Sequence, residues 1–232
     1  MNAEKTLEKL HGIALLLPES EKFIFDHCRK HPHEARKMLD GIGVRIAELM
    51  NEAETDVRRE AAKQSGNGNR QKAAERIIKS AYSTQPNRPA MHGAWSDADG
   101  AQYVFDGYRL FKLFDPLPLP TIPEKETPIN AARAIDPAKN NNGATLNLPE
   151  LADLRAYIKE EKARKKAIKD KTAPVYDFGD ALPLVNAQYL LDALELLPGC
   201  TATISSRAPL ITPIYFESVH GCGVLCPVKK EA

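Results

Sequence analysis

The residues best suited to chemistry stand near the end of the chain and in one basic run. His220, Cys222 and Cys226 offer an imidazole and two thiols, donor types that zinc takes. A structural zinc site wants four ligands and usually a tight cysteine pair. Cys222 and Cys226 instead fall on alternate positions of a segment with strand character, so they read as small buried apolar residues. A cysteine nucleophile needs a low-pKa thiol beside a base, and no local signature of one is present. The basic run holds Arg155, Lys159, Lys162, Arg164, Lys165, Lys166, Lys169 and Lys171, diluted by Glu160, Glu161 and Asp170. If Lys162, Lys165, Lys166 and Lys169 share one side of a helix, they can neutralise phosphates of duplex DNA; the plainer reading is a solvated helix surface. No phosphate-binding glycine loop, dinucleotide fingerprint or serine elbow occurs, and the acidic residues are dispersed. The chain reads as non-enzymatic, with no cofactor and no metal.

Those residues must be positioned by a chain of 232 residues that is 43% hydrophobic, enough for one large domain or two modest ones with a packed core. Thirty-two basic residues against thirty-one acidic give a net charge of +1, so any nucleic-acid contact has to come from a local patch. The longest apolar run near the start, residues 13–17, is too short to cross a bilayer, which implies no membrane partner and a cytoplasmic location. Four cysteines, Cys28, Cys200, Cys222 and Cys226, are scattered and suit reduced thiols.

Periodicity divides the chain in two. Residues 1–64 carry three apolar stripes at helical spacing, the first ending at Pro18, and read as a helical region of three helices. The run Ser65-Gly66-Asn67-Gly68-Asn69 reads as a linker, residues 65–69. From residue 70 to 232 the texture is α+β, with helices packed on antiparallel sheet. A helix bearing Ala74, Ile77, Ile78 and Ala81 precedes strand segments 90–95 and 101–105, joined by the turn Asp97-Ala98-Asp99-Gly100. A helix over residues 186–197 precedes strand segments 201–205, 210–216 and 222–228. Between the two sets, residues 115–172 form an insertion. Its first part, with Pro116, Pro118, Pro120, Pro123 and Pro128, is an extended loop, and its second is the Lys-rich helix.

Three segments in order carry a resemblance. Ala74-Glu75-Arg76-Ile77-Ile78 through His92-Gly93-Ala94-Trp95 is followed by Asp106-Gly107-Tyr108-Arg109-Leu110. Then come Val185-Asn186-Ala187-Gln188-Tyr189-Leu190 and, at the chain end, Val224-Leu225-Cys226-Pro227-Val228-Lys229. Together they resemble one domain of the bacterial DNA polymerase sliding clamp, with Tyr108 where that family has His. The resemblance implies a replication processivity or docking protein whose partners are a DNA polymerase or other DNA-processing proteins. In the family, domains ring duplex DNA with helices inside and strands outside, so a homo-oligomer made edge to edge is implied as well. Gly107, Tyr108, Arg109, Leu110, Val224, Cys226 and Pro227 are implied to border a pocket for a partner's hydrophobic peptide. Two alternatives stand beside this reading. One is a clamp-derived interaction module that binds no DNA. The other is an enzyme without a recognisable motif, built from Asp106, Arg109, Arg207 and His220.

Overall fold

The computed structural model describes residues 3–27, 32–140 and 143–228; Cys28 and the chain end from residue 229 lie outside them. The chain divides into two compact units, Met1–Gly68 and Asn69–Ala232.

In the first unit, α1 (Ala3–His27) packs against α2 (Pro32–Gln64), so the expected three helices are two. Helix α1 continues through Pro18 instead of stopping there. An interior proline removes one donor and crowds the carbonyl four residues back, here that of Ala14. A helix flank open to water tolerates this because solvent satisfies the freed carbonyl, and Leu15 and Leu16 beside it are exposed. The expected linker is shorter than its composition suggests. Gly66, with φ +78°, lets the Asn67 N–H reach the Ala62 carbonyl at 2.7 Å and close α2, and α3 (Gly68–Thr84) starts at once.

The second unit is α+β. Besides α3 it contains α4 (Ala132–Lys139), α5 (Leu151–Ala167) and α6 (Ala187–Leu196). Its strands are β1 (Trp95–Ser96), β2 (Gln102–Phe105), β3 (Arg109–Leu113), β4 (Ala144–Leu146), β5 (Val175–Asp177), β6 (Leu184–Asn186), β7 (Thr201–Ile204), β8 (Ile214–Ser218) and β9 (Gly221–Leu225). Seven of them form an antiparallel sheet in the order β1-β2-β3-β9-β8-β7-β4, and β5 pairs with β6 apart from it.

Apart from β4, the strand order is symmetric about the β3–β9 pair, and so is the register of the two hairpins that meet there. Val104 faces Phe111 in one hairpin, and Phe216 faces Gly223 in the other. The Tyr108 N–H donates to Asp106 in the first turn, and the His220 N–H donates to Ser218 in the second. Across the centre, the Tyr108 carbonyl accepts from the Cys226 N–H and the His220 carbonyl from the Phe114 N–H. Every one of these partners is displaced by the same number of positions along the chain. The segments α3-β1-β2-β3 and α6-β7-β8-β9 are therefore two half-units of one design, related by an approximate two-fold axis.

Strand alternation sends side chains to two cores. Val104, Phe111, Ile214, Phe216 and Leu225 meet Ile77 and Ile78 of α3 and Leu190 and Leu194 of α6. On the other face Tyr103, Leu110, Tyr215, Cys222 and Val224 meet Ala131, Ile135 and Ala138, so α4 covers the side away from α3 and α6. Packing at the axis is close: a Cβ on Gly223 would lie 2.2 Å from a Phe111 ring carbon.

The insertion also finishes both edges of the sheet. Beside β1, the Ala94 N–H donates to the Pro120 carbonyl and the Ile122 N–H to the Ala94 carbonyl, which places the proline-rich segment along that edge. Beside β7 lies β4, with Leu146 opposite Ala202. Neither α4 nor β4 is evident in the sequence pattern. Among the described residues, no helix is long and apolar enough to cross a membrane.

Candidate functional site

The turn between β2 and β3 brings together the two chain segments expected at a pocket. Arg109 pairs with Leu225 and Leu110 with Val224, and the Cys226 N–H reaches the Tyr108 carbonyl at 2.8 Å. Their side chains are not equally accessible. Leu110 and Val224 lie in the core under α4, and Arg109 is buried on the opposite face. Tyr108 is exposed, and Gly107, Cys226 and Pro227 are half-buried. The loop between β7 and β8 ends at Ile214, which pairs with Leu225, so Leu210 and Ile211 stand at this same end of the sheet, as does Val228. All three are exposed, Ile211 at 74%. They extend the apolar end beyond the residues expected there. In the sequence Leu210 and Ile211 read as strand, because apolar loop residues carry the same local signal.

Behind Arg109 lies a buried charge cluster. Its guanidinium does not cap backbone carbonyls; its Nε donates to Asp106 at 2.9 Å, and its Nη1 to Asp192 of α6 at 2.5 Å. The group also lies 4.0 Å from the centre of the Tyr189 ring. Asp106 accepts from the Tyr108 and Arg109 N–H groups through its other oxygen. Arg76 of α3 bridges Asp192 and Glu195, and Arg155 of α5 adds a 2.6 Å contact to Glu195. Burial alone lowers the pKa of Arg76, but the two carboxylates outweigh it and leave it raised. The carboxylates that are dispersed in sequence are thus gathered by the fold. Three of them face three guanidinium groups, so the cluster is neutral and its groups serve one another. It ties α3, the β2–β3 turn, α5 and α6 together.

The other chemical candidates do not converge. His220 sits at the opposite end of β9 from Arg109, with its Nδ1 2.8 Å from Asp115. Asp115 in turn lies 3.7 Å from the buried Arg70 guanidinium. Arg207 lies in the β7–β8 loop, so Asp106, Arg109, Arg207 and His220 do not line one site. Cys222 points into the core under α4, and Cys226 follows the end of β9. Burial raises the pKa of both thiols and pushes Cys200 up to about 11, the reverse of what a nucleophile needs. Among the described residues, no three metal-binding side chains come close enough to hold an ion.

The lysines form the second open feature. Lys162, Lys165, Lys166, Lys169 and Lys171 line a depression of about 460 Å³ with Asp170, Thr172 and Pro174. Helix α5 ends there: the Asp170 N–H bonds back to the Lys165 carbonyl, and Lys169 takes a left-handed φ of +58°. Lys165 is clasped by Asp170 at 3.0 Å and by Thr172 at 2.5 Å. Asp170 also accepts from the Thr172 backbone N–H, and that bond together with Lys165 pulls its pKa down to about 2. Lys162 reaches Gln188 of α6 at 3.3 Å, and Gln188 donates to Asp192. Helix α5 is held on α6 by Leu154 and Ile158 on its buried side.

In comparisons with known proteins, the chain matches no family model, no curated protein and no solved structure.

Proposed function

We propose that residues 69–232 are a clamp-type docking module that holds a DNA polymerase or another DNA-processing protein and performs no chemistry of its own. The observation that carries this reading is the doubled arrangement about β3 and β9. A helix followed by antiparallel strands, occurring twice, is the repeat that the sliding-clamp resemblance calls for. The partner's hydrophobic peptide meets the end of the sheet where Tyr108, Leu210, Ile211 and Val228 are exposed beside Cys226 and Pro227. A few apolar side chains, at about 25 cal/mol per Å² before the costs of association, support binding in the micromolar range.

The module works as a single copy in this reading. Edge-to-edge rings need long free sheet edges; here the proline-rich segment lies beside one edge, and the other is the three-residue strand β4. The helix layer that lines the hole in the clamp family is overlaid here by α5 on α6.

The test is titration of a labelled clamp-binding peptide against the wild type, Tyr108→Ala and Ile211→Asp, with folding checked by circular dichroism. Arg109, Leu110 and Val224 are unsuitable targets because they are interior. Micromolar binding that weakens at least tenfold in Ile211→Asp supports the docking end. No binding by the wild type, or equal binding by the folded variants, removes it. A solution mass at a ring multiple of the 25.6 kDa chain replaces the single copy with a ring.

A further inference from the structure

We infer that the depression at the end of α5 is a binding site for the phosphodiester backbone of duplex DNA, with Lys162, Lys166, Lys169 and Lys171 contacting phosphates and Lys165 acting as a positioning residue. Five lysines and one aspartate line it, and among the described residues only Lys165 of the five is ion-paired. Such crowding is unfavourable in the free protein, since like charges repel, and the partial charge at a helix C-terminus offsets only about half of one of them. Bound phosphates relieve it.

The chemistry of the lining points to a backbone rather than to bases or to a lone phosphate. Lysine is a point charge without the fork that reads base edges, and no aromatic ring lines the depression to stack unpaired bases. Lys162 and Lys166 are one helical turn apart, about 6 Å along the axis, a separation on the order of that between successive phosphates in a strand. The site is also partly organised in advance. The Asp170–Thr172 clasp fixes Lys165, and the left-handed turn at Lys169 sets where the chain leaves the helix. The inference adds a ligand to the docking reading and stands on α5 alone, so the peptide titration and the following experiment fail separately.

Fluorescence anisotropy with a labelled duplex of arbitrary sequence tests it, using the full chain at several salt concentrations. Four phosphate contacts predict a slope of log K against log salt near −3.6, which is about a hundredfold loss between 50 and 200 mM. Lys162→Glu with Lys166→Glu is expected to weaken binding at least tenfold at 50 mM and to flatten the slope. The neutral pair Lys162→Gln with Lys166→Gln should fall between. Exchanging Lys125, away from the depression, for Glu should change nothing. Overturning results are no duplex binding at 50 mM, binding unaltered in the double Glu variant, or a preference for anionic lipid vesicles or tripolyphosphate over the duplex in competition.

Discussion

Two groups of charges lie a few side chains apart in this protein, and they are built in opposite ways. The cluster around Arg109 matches three guanidinium groups with three carboxylates, largely away from water, and every member has a partner. The depression at the end of α5 sets five lysines around one aspartate, open to solvent. Buried charge is tolerated only when it is paired, because desolvation costs more than an imperfect pairing returns. Exposed charge can stay unmatched because water and salt screen it. The closed cluster therefore belongs to the fold, and the open one is available to something outside it. Gln188 links the two, bonding Lys162 on one side and Asp192 on the other.

The contrast can be broken most forcefully from the inside. Arg109→Met leaves Asp106 without its cation and Asp192 with Arg76 alone, and unfolding by denaturant should show a loss of about 3–5 kcal/mol. A loss below about 1 kcal/mol contradicts the structural role assigned to the cluster. Removing a matched pair should cost less than removing one member. The double variant Arg109→Met, Asp106→Asn is expected to recover at least half of that loss, since Arg76 and Arg155 then face Asp192 and Glu195 with no net charge left over. A double variant less stable than the single one refutes this. At the other cluster, Lys162→Glu with Lys166→Glu should leave stability within about 0.5 kcal/mol of the wild type, so that any change in duplex affinity is a change in binding. A melting curve displaced by many degrees makes those lysines part of the fold instead.

The smallest effect is a local one with pH. Asp170 has its pKa lowered to about 2, so the stability its clasp contributes is fully present above its ordinary value near 4 and is lost as pH falls through about 2. The amide resonance of Thr172 should titrate with a midpoint near 2, and a midpoint near 4 shows that the clasp does not hold in solution.

What the sequence reveals follows the range of the interactions involved. Ala74, Ile77, Ile78 and Ala81 in α3, and Leu190 and Leu194 in α6, mark their helices because a helix imposes its period on neighbours in the chain. The Asp97-Gly100 turn is legible for the same reason: the Asp97 side chain accepts from Asp99 and Ala101 close by. Asp192 lies 83 positions from Arg109, and nothing local marks it as the partner. Residues 144–146 become a strand only because β7 offers them an edge, and α4 carries Pro137 inside it, a residue that argues against a helix on local grounds. Of the docking end, the meeting of Tyr108 with Cys226 was readable through the resemblance. The burial of Leu110 and Val224 was not, because it depends on α4 covering that face.

The pairing of β3 with β9 also governs the order of events when the chain is made. Arg109 waits for Leu225, on the order of a hundred residues later, so the centre of the sheet is the last part that can be completed on a ribosome. Until then the first half-unit carries Leu110, Phe111 and Leu113 on an open strand edge, the kind of edge that another nascent chain can join. Premature termination near the insertion therefore leaves that edge unpaired, an adhesive fragment rather than a working half.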